Sequence, residues 1–173
     1  MKRKTYSEEL NFVTVTVVDW IDVFTRRIYS DFVIECLKFC HQEKGMEIYA
    51  YVLLTNHLHM VVRSFEDTLP DILRDFKTYT SKELFKMIAS NPYESRKVWM
   101  LKAFEIAGLE NPVNKNQQFW QNGNQPIALF SNKVIQQKVD YIHQNPVKAG
   151  FVDEASKYFY SSANPFNPLG ILI

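Results

Sequence analysis

His57 and His59 stand one residue apart in the run Thr55-Asn56-His57-Leu58-His59-Met60-Val61-Val62-Arg63. Side chains on a strand alternate faces, so both imidazoles project from one side, about 6.6 Å apart along the chain. Two imidazoles at that separation can share one divalent ion. A closed structural zinc site takes four ligands, so a metal on this pair would keep positions open for water or substrate. The same spacing also suits a purely structural pair, and spacing alone leaves both readings open.

The second informative stretch is Val139 to Val152, VDYIHQNPVKAGFV. Tyr141 and Asn145 are one helical turn apart and share a face, with Lys138 on the same side and Val139 and Ile142 toward a core. Taken singly, Tyr141 reads as a surface aromatic and Asn145, before Pro146, as a helix terminator. Taken with the histidines, the Asn145 amide oxygen can complete a metal site. The Tyr141 phenol then lies beside it as a nucleophile for a metal-bound phosphate. A phenol titrates near pH 10, so it must lose its proton during attack, and the cation and Lys138 would assist. His143 points away from Tyr141 and reads as packing or as support for a neighbouring site residue, not as a catalytic group.

Several elements must position these groups. Phe12 to Val18 alternates Val and Thr, a strand with one face made by Val13, Val15 and Val17. Ile28 to His41 has helical spacing at Ile28, Phe32, Val33, Leu37 and Cys40, and Gly45 stops it as a left-handed C-terminal glycine. Glu47 to Leu54 and His57 to Arg63 are two strands joined so tightly that they form an antiparallel hairpin. Leu58, Met60 and Val62 pack toward helices, leaving His57, His59, Val61 and Arg63 on an exposed face. A helix runs from about Leu69 to Ala89, with Pro70 at its start. A short helix spans Val98 to Ala107, Asn114 to Gln118 reads as loop, and Phe119 to Phe130 supplies a returning strand or ribbon. Ser131 caps a last helix that buries Val134, Ile135, Val139 and Ile142 and is ended by Pro146. The aromatic tail from Phe151 reads as ordered packing. This β-α-β-β-α-β-α order implies an α+β, ferredoxin-like (RRM-like) antiparallel sheet, helices on one face, with a C-terminal helix carrying Tyr141.

With these residues in place, the chain resembles a known family. Tyr51 to Val62, YVLLTNHLHMVV, resembles the His-hydrophobic-His (HUH) segment of single-tyrosine transposases. Tyr141 to Gly150, YIHQNPVKAG, is similar to the tyrosine-helix signature of their REP-associated branch. Phe76 to Ser81 and Phe119 to Gln121 resemble further landmarks in the expected order, and the likeness spans roughly residues 10 to 165. The resemblance implies a single HUH domain over residues 1–173 that acts as a single-stranded DNA endonuclease and strand transferase. Such enzymes cut beside DNA hairpins, leaving a 5′-phosphotyrosine and a free 3′-hydroxyl without ATP. It implies His57, His59 and Asn145 as ligands of Mg²⁺ or Mn²⁺ and Tyr141 as nucleophile. Some relatives carry Gln at the third ligand position, so an amide fits. Relatives work as monomers or as homodimers with shared sites.

The 173 residues, 46% hydrophobic and 14% aromatic, exclude a disordered or low-complexity chain and allow one well-packed domain. A net charge of +1 argues against a DNA-coating protein but leaves room for a local cationic groove. Arg74, Lys77 and Ser81 recur at helical spacing and could meet phosphates, as could Lys138, Lys148, Arg26-Arg27 and Arg96-Lys97. Trp120 or Tyr79 could stack on an unpaired base. Cys36 and Cys40 lack CxxC spacing and read as buried thiols of a reducing compartment. The basic start, Met1 to Lys4, leads into no signal-peptide core, and no run reaches transmembrane length, so a cytoplasmic location is expected. Two other functions fit: a domesticated hairpin-DNA-binding module that no longer cuts, and a phosphoesterase using a metal-bound water.

Overall fold

The computed structural model describes residues 9–65, 69–113, 116–123 and 126–171. The basic start and Asn114 and Lys115 of the polar run lie outside them. Four antiparallel strands form one sheet: β1 (Asn11–Thr16), β2 (Met46–Leu53), β3 (His57–Ser64) and the two-residue β4 (Ile127–Ala128), in the order β2-β3-β1-β4. Around it lie α1 (Arg27–Glu43), α2 (Leu69–Ser90), α3 (Lys97–Glu110) and α4 (Asn132–Lys148). This is the ferredoxin-like order expected from the sequence.

The alternation of β1 and β3 divides the core in two. Val13, Val15, Leu58, Met60 and Val62 turn one way and join Val33, Leu37, Leu73, Phe76 and Phe104 from α1, α2 and α3. Phe12, Ala50, Val52 and Val61 turn the other way and meet Val139 and Ile142 of α4. The histidine face is therefore not exposed, as the strand pattern alone suggested. A second, smaller core covers it, and His59 is only 6% accessible. A register shift between Ile48 and Ala50 lets both Ile48 and Tyr51 reach the larger core.

Three local readings change. The buried stripe of α1 is Tyr29, Ser30, Val33, Ile34, Leu37 and Cys40, with Ile28 outside it. Val134 is exposed, because Val139, Ile142 and Pro146 form the buried face of α4. Pro146 does not end α4, which runs two residues further. Proline lacks only the N–H that would have reached back one turn. The Asn145 and Pro146 carbonyls are still taken by the N–H groups of Ala149 and Phe151, each at 2.9 Å. Gly150, at φ +78°, closes the helix instead. Ser131 caps its start, the hydroxyl accepting from the Val134 N–H at 3.3 Å.

The tail holds α4 against the sheet. It lies along the free edge of β2, where the Leu53 N–H donates to the Tyr160 carbonyl (2.9 Å) and the Ser162 N–H to that of Tyr51 (3.0 Å). The His143 Nε2 meets the Ser162 hydroxyl at 2.9 Å, tying α4 to that strap and giving this histidine the packing role expected of it. Before α3, the Glu94 side chain is fully enclosed. It pairs with Arg26 at 2.8 Å and with Arg96 at 2.9 Å, and Arg96 also donates to the Asp22 carbonyl at 2.7 Å. Arg26 and Arg96 thus hold this buried carboxylate in place.

Burial pushes the Glu94 carboxyl up, but hydrogen bonds from Arg96 and the charges of both arginines outweigh it and hold it at about 2. A carboxyl depressed on folding stabilises above its unfolded value and loses that contribution as pH falls toward the folded one. Urea midpoints should therefore drop between pH 4.5 and 2 in the native protein. Glu94→Gln should start about 3 kcal/mol less stable and lack that part of the pH dependence.

Candidate active site

The antiparallel register places Thr14 opposite His59 and Thr16 opposite His57. The Thr14 hydroxyl meets the Nδ1 of His59 at 2.8 Å. The Nδ1 of His57 meets the Asn56 Oδ1 at 2.7 Å. That amide cannot turn over without loss, because its Nδ2 donates to the Trp20 carbonyl (3.1 Å) and to the Asp22 carboxylate (3.0 Å). Asn56 therefore presents an oxygen to His57, which must donate from Nδ1 and keep its lone pair on Nε2. Among the described residues both rings have Nδ1 engaged and no hydrogen bond at Nε2, the arrangement in which outer partners orient metal-binding imidazoles.

The two imidazoles lie 4.6 Å apart between centroids. Burial lowers the pKa of His57. Burial above all, with His57 and Lys138 beside it, pushes His59 down to about 3. Both rings are neutral, ligand-ready bases at neutral pH. The same depression has a cost in acid. The unfolded chain binds protons from about pH 6.5 downward that the folded ring refuses, so stability falls with pH over that range. Between pH 6.5 and 4.5, above the Glu94 window, His59→Gln should flatten the slope of urea midpoint against pH. The residue of that slope belongs to His57 and His143, which burial also lowers.

Helix α4 brings the phenol. The Tyr141 ring lies 5.3 Å from the His59 ring and 5.9 Å from Phe12, which itself stacks on His59 at 5.4 Å. Tyr141 remains 42% accessible, so a substrate can reach it. The Lys138 ammonium sits 4.5 Å from the Phe12 centroid and 5.7 Å from that of Tyr141. Asn145 lies one turn along α4, half-buried, and its side-chain amide carries no hydrogen bond among the described residues. Those residues hold no group of three or more His, Cys, Asp or Glu suited to a metal.

The other predicted contacts do not join this cluster. Arg74 is paired with Asp71 and Asp75, Lys77 donates to the Gln121 carbonyl at 2.6 Å, and the Ser81 hydroxyl donates back to the Lys77 carbonyl. They line a groove of about 700 Å³ between α2 and residues 116–123. That groove shares Asn122 and Gly123 with a smaller one of about 320 Å³ reaching Phe12 and Thr14, so it opens toward His59. Lys148 is exposed at the end of α4. Trp120 is core, 3% accessible with its indole N–H on Thr80, and offers no platform for a base. Besides Tyr141, an exposed aromatic stands beside the histidines in Trp20, its ring 5.6 Å from His57. Its signal in the sequence was weak, since only the fold carries the β1–α1 connection to the start of β3.

Comparison with known proteins now decides the family. The family described as "Transposase IS200 like" matches residues 8–105, more than half of the chain and including both histidines. The chain belongs to the IS200-like transposases. Its fold is that of a REP-associated tyrosine transposase solved bound to a REP hairpin, at 19% identity and a TM-score of 0.63, covering 98% of this chain and 88% of that one. It also matches a Deinococcus radiodurans R1 crystal structure assigned provisionally as a transposase, at 16% identity and TM-score 0.45, covering 83% and 96%. No curated protein sequence matches significantly. In this IS200-like transposase α4 lies beyond the matched segment, and the packing of the Tyr141 ring on His59 is what joins that helix to the histidines. None of its described helices is long and apolar enough to cross a membrane.

Proposed function

We propose that this IS200-like transposase is a metal-dependent endonuclease and strand transferase for single-stranded DNA, cutting beside hairpins through a 5′-phosphotyrosine. The observation that carries the reading is the contact of Tyr141 with His59, in a pair whose two Nε2 atoms are both left for a ligand. Residues 10–165 form the single catalytic unit, and a hairpin is the partner borne by the REP-associated structure of the same fold.

His57, His59 and the Asn145 amide oxygen would hold Mg²⁺ or Mn²⁺. When bound, the ion neutralises charge on the scissile phosphate and favours its attack. Tyr141 supplies the nucleophile: its Oη forms a bond to phosphorus as the bond from phosphorus to the 3′-oxygen breaks. The phenolic proton passes to solvent, and the departing 3′-oxygen takes one up. One phosphodiester is exchanged for another, so the 3′-hydroxyl can reverse the step without ATP. Lys138 stabilises the phenolate as it forms, and Phe12, stacked on His59, keeps that ring in place. Arg74, Lys77, Ser81 and Lys148 contact flanking phosphates, the first three along the groove that opens toward Thr14.

The test is to mix the protein with a labelled hairpin bearing single-stranded flanks and Mn²⁺. An SDS-resistant protein–DNA adduct is expected. Hairpin binding with no adduct in either metal would favour a module that recognises DNA without cutting.

A further inference from the structure

Ring contacts link four side chains in succession, Trp20 to His57, His57 to His59 and His59 to Tyr141, with centroids 5.6, 4.6 and 5.3 Å apart. The two histidines are interior, and the accessible rings are the ends, Trp20 at 56% and Tyr141 at 42%. The proposed function uses one end of this succession and leaves the other unexplained.

Core packing does not explain Trp20, since more than half of its surface is in water. Nor do the backbone bonds around it. Its N–H donates to the Val17 carbonyl at 3.2 Å, and its carbonyl accepts from Asn56 Nδ2 at 3.1 Å. Any residue would keep both. The backbone itself disfavours an indole: Asp19 and Trp20 sit at φ +53° and +54°, in the left-handed region that suits Gly, Asn or Asp. The indole N–H carries no hydrogen bond among the described residues. A bulky ring is thus held in an unfavourable backbone conformation, in solvent, against a histidine of the site. The same Asn56 amide that orients His57 also grips the Trp20 carbonyl, so ring and imidazole are fixed as one unit.

We infer that Trp20 is a stacking platform for a base of the single-stranded substrate, the nucleotide across the scissile phosphate from Tyr141. The inference rests on the proposed function and follows from its geometry. Attacking and leaving oxygens in phosphoryl transfer lie roughly in line. With Tyr141 attacking from one end of the succession and the phosphate over the histidines, the leaving oxygen points toward Trp20. The nucleotide that carries it brings its base to that indole. Stacking is tolerant of base identity because every base has a π face, so Trp20 sets where the strand is cut more than which sequence is cut.

The probe is a DNA hairpin with single-stranded thymidine flanks in which 2-aminopurine, whose fluorescence is quenched by stacking, is moved one position at a time. The protein carries Tyr141→Phe, so that the strand stays intact in Mn²⁺. One position should be quenched on binding, and that quenching should persist in Trp20→Phe and vanish in Trp20→Ala. Trp20→Ala should weaken binding about tenfold. An abasic site at the quenched position should weaken binding to the Trp20 protein equally and add nothing in Trp20→Ala. Quenching that survives Trp20→Ala, or affinity that falls for every abasic position alike, overturns the platform. If native protein forms its SDS-resistant adduct while Trp20→Ala binds and quenches unchanged, the platform is wrong and the nuclease reading stands. If native protein neither binds the hairpin nor forms the adduct, both fall.

Discussion

Tyr141→Phe is expected to leave no SDS-resistant adduct and to lower strand cleavage by at least about 10³-fold, the scale on which removing a nucleophile acts. The substitution deletes one oxygen. The ring that packs against His59 and Phe12 remains, and because Tyr141 is accessible, folding should be unaffected. Lys138 keeps its place over Phe12. Loss of activity in a protein with an unchanged urea midpoint and unchanged hairpin affinity would therefore report the phenol alone. A phosphoesterase working through bound water predicts the opposite, since it needs no phenol and should cut at nearly the native rate. Gel separation of free, nicked and protein-linked DNA distinguishes the two in one experiment.

The second large effect is expected at the histidines. His57→Ala and His59→Ala should each abolish Mn²⁺ binding measured by calorimetry on the protein without DNA, and with it adduct formation. The two should differ in stability. His59 is buried beneath Phe12 and bonded to Thr14, so its removal leaves a cavity and an orphaned hydroxyl, costing about 2 kcal/mol or more. His57 lies nearer the surface and should cost less. Asn56→Ala leaves both imidazoles in place but frees His57 to turn, and affinity for Mn²⁺ should fall about 10- to 100-fold. Native Mn²⁺ affinity in all three variants would detach the metal from this pair.

Much of this arrangement was legible in the residues. The Val-Thr alternation of β1, the His57–His59 spacing and the tight turn at Thr55-Asn56 place two imidazoles on one face of a hairpin. The apolar spacing of Val139 and Ile142 likewise sets which side of α4 meets the sheet. Such patterns depend on neighbours in sequence, where periodicity decides. What they leave open is which element covers a face. Val61 was expected in solvent because alternation assigns it a side, whereas packing by Val139 and Ile142 decides that this side is dry. Trp120 and Trp20 show the same limit. Both are large aromatics in irregular segments, and only tertiary contacts send the first to Thr80 and the core and the second to His57 and solvent. Arg26 and Arg96 looked like free cations because their common partner, Glu94, is distant in sequence from one of them. Pro146 misled for a different reason. Near the end of a helix its missing N–H costs one bond, and the carbonyls of Asn145 and Pro146 still find donors beyond it.

The central claim is that the chain joins itself to DNA through one phenol. The most direct measurement is mass spectrometry of the adduct after nuclease trimming and protease digestion. The account predicts a nucleotide 5′-phosphate on the peptide containing Tyr141, and there alone. The same mass on another tyrosine, or cleaved DNA whose 5′-phosphate is free with no modified peptide, would contradict it.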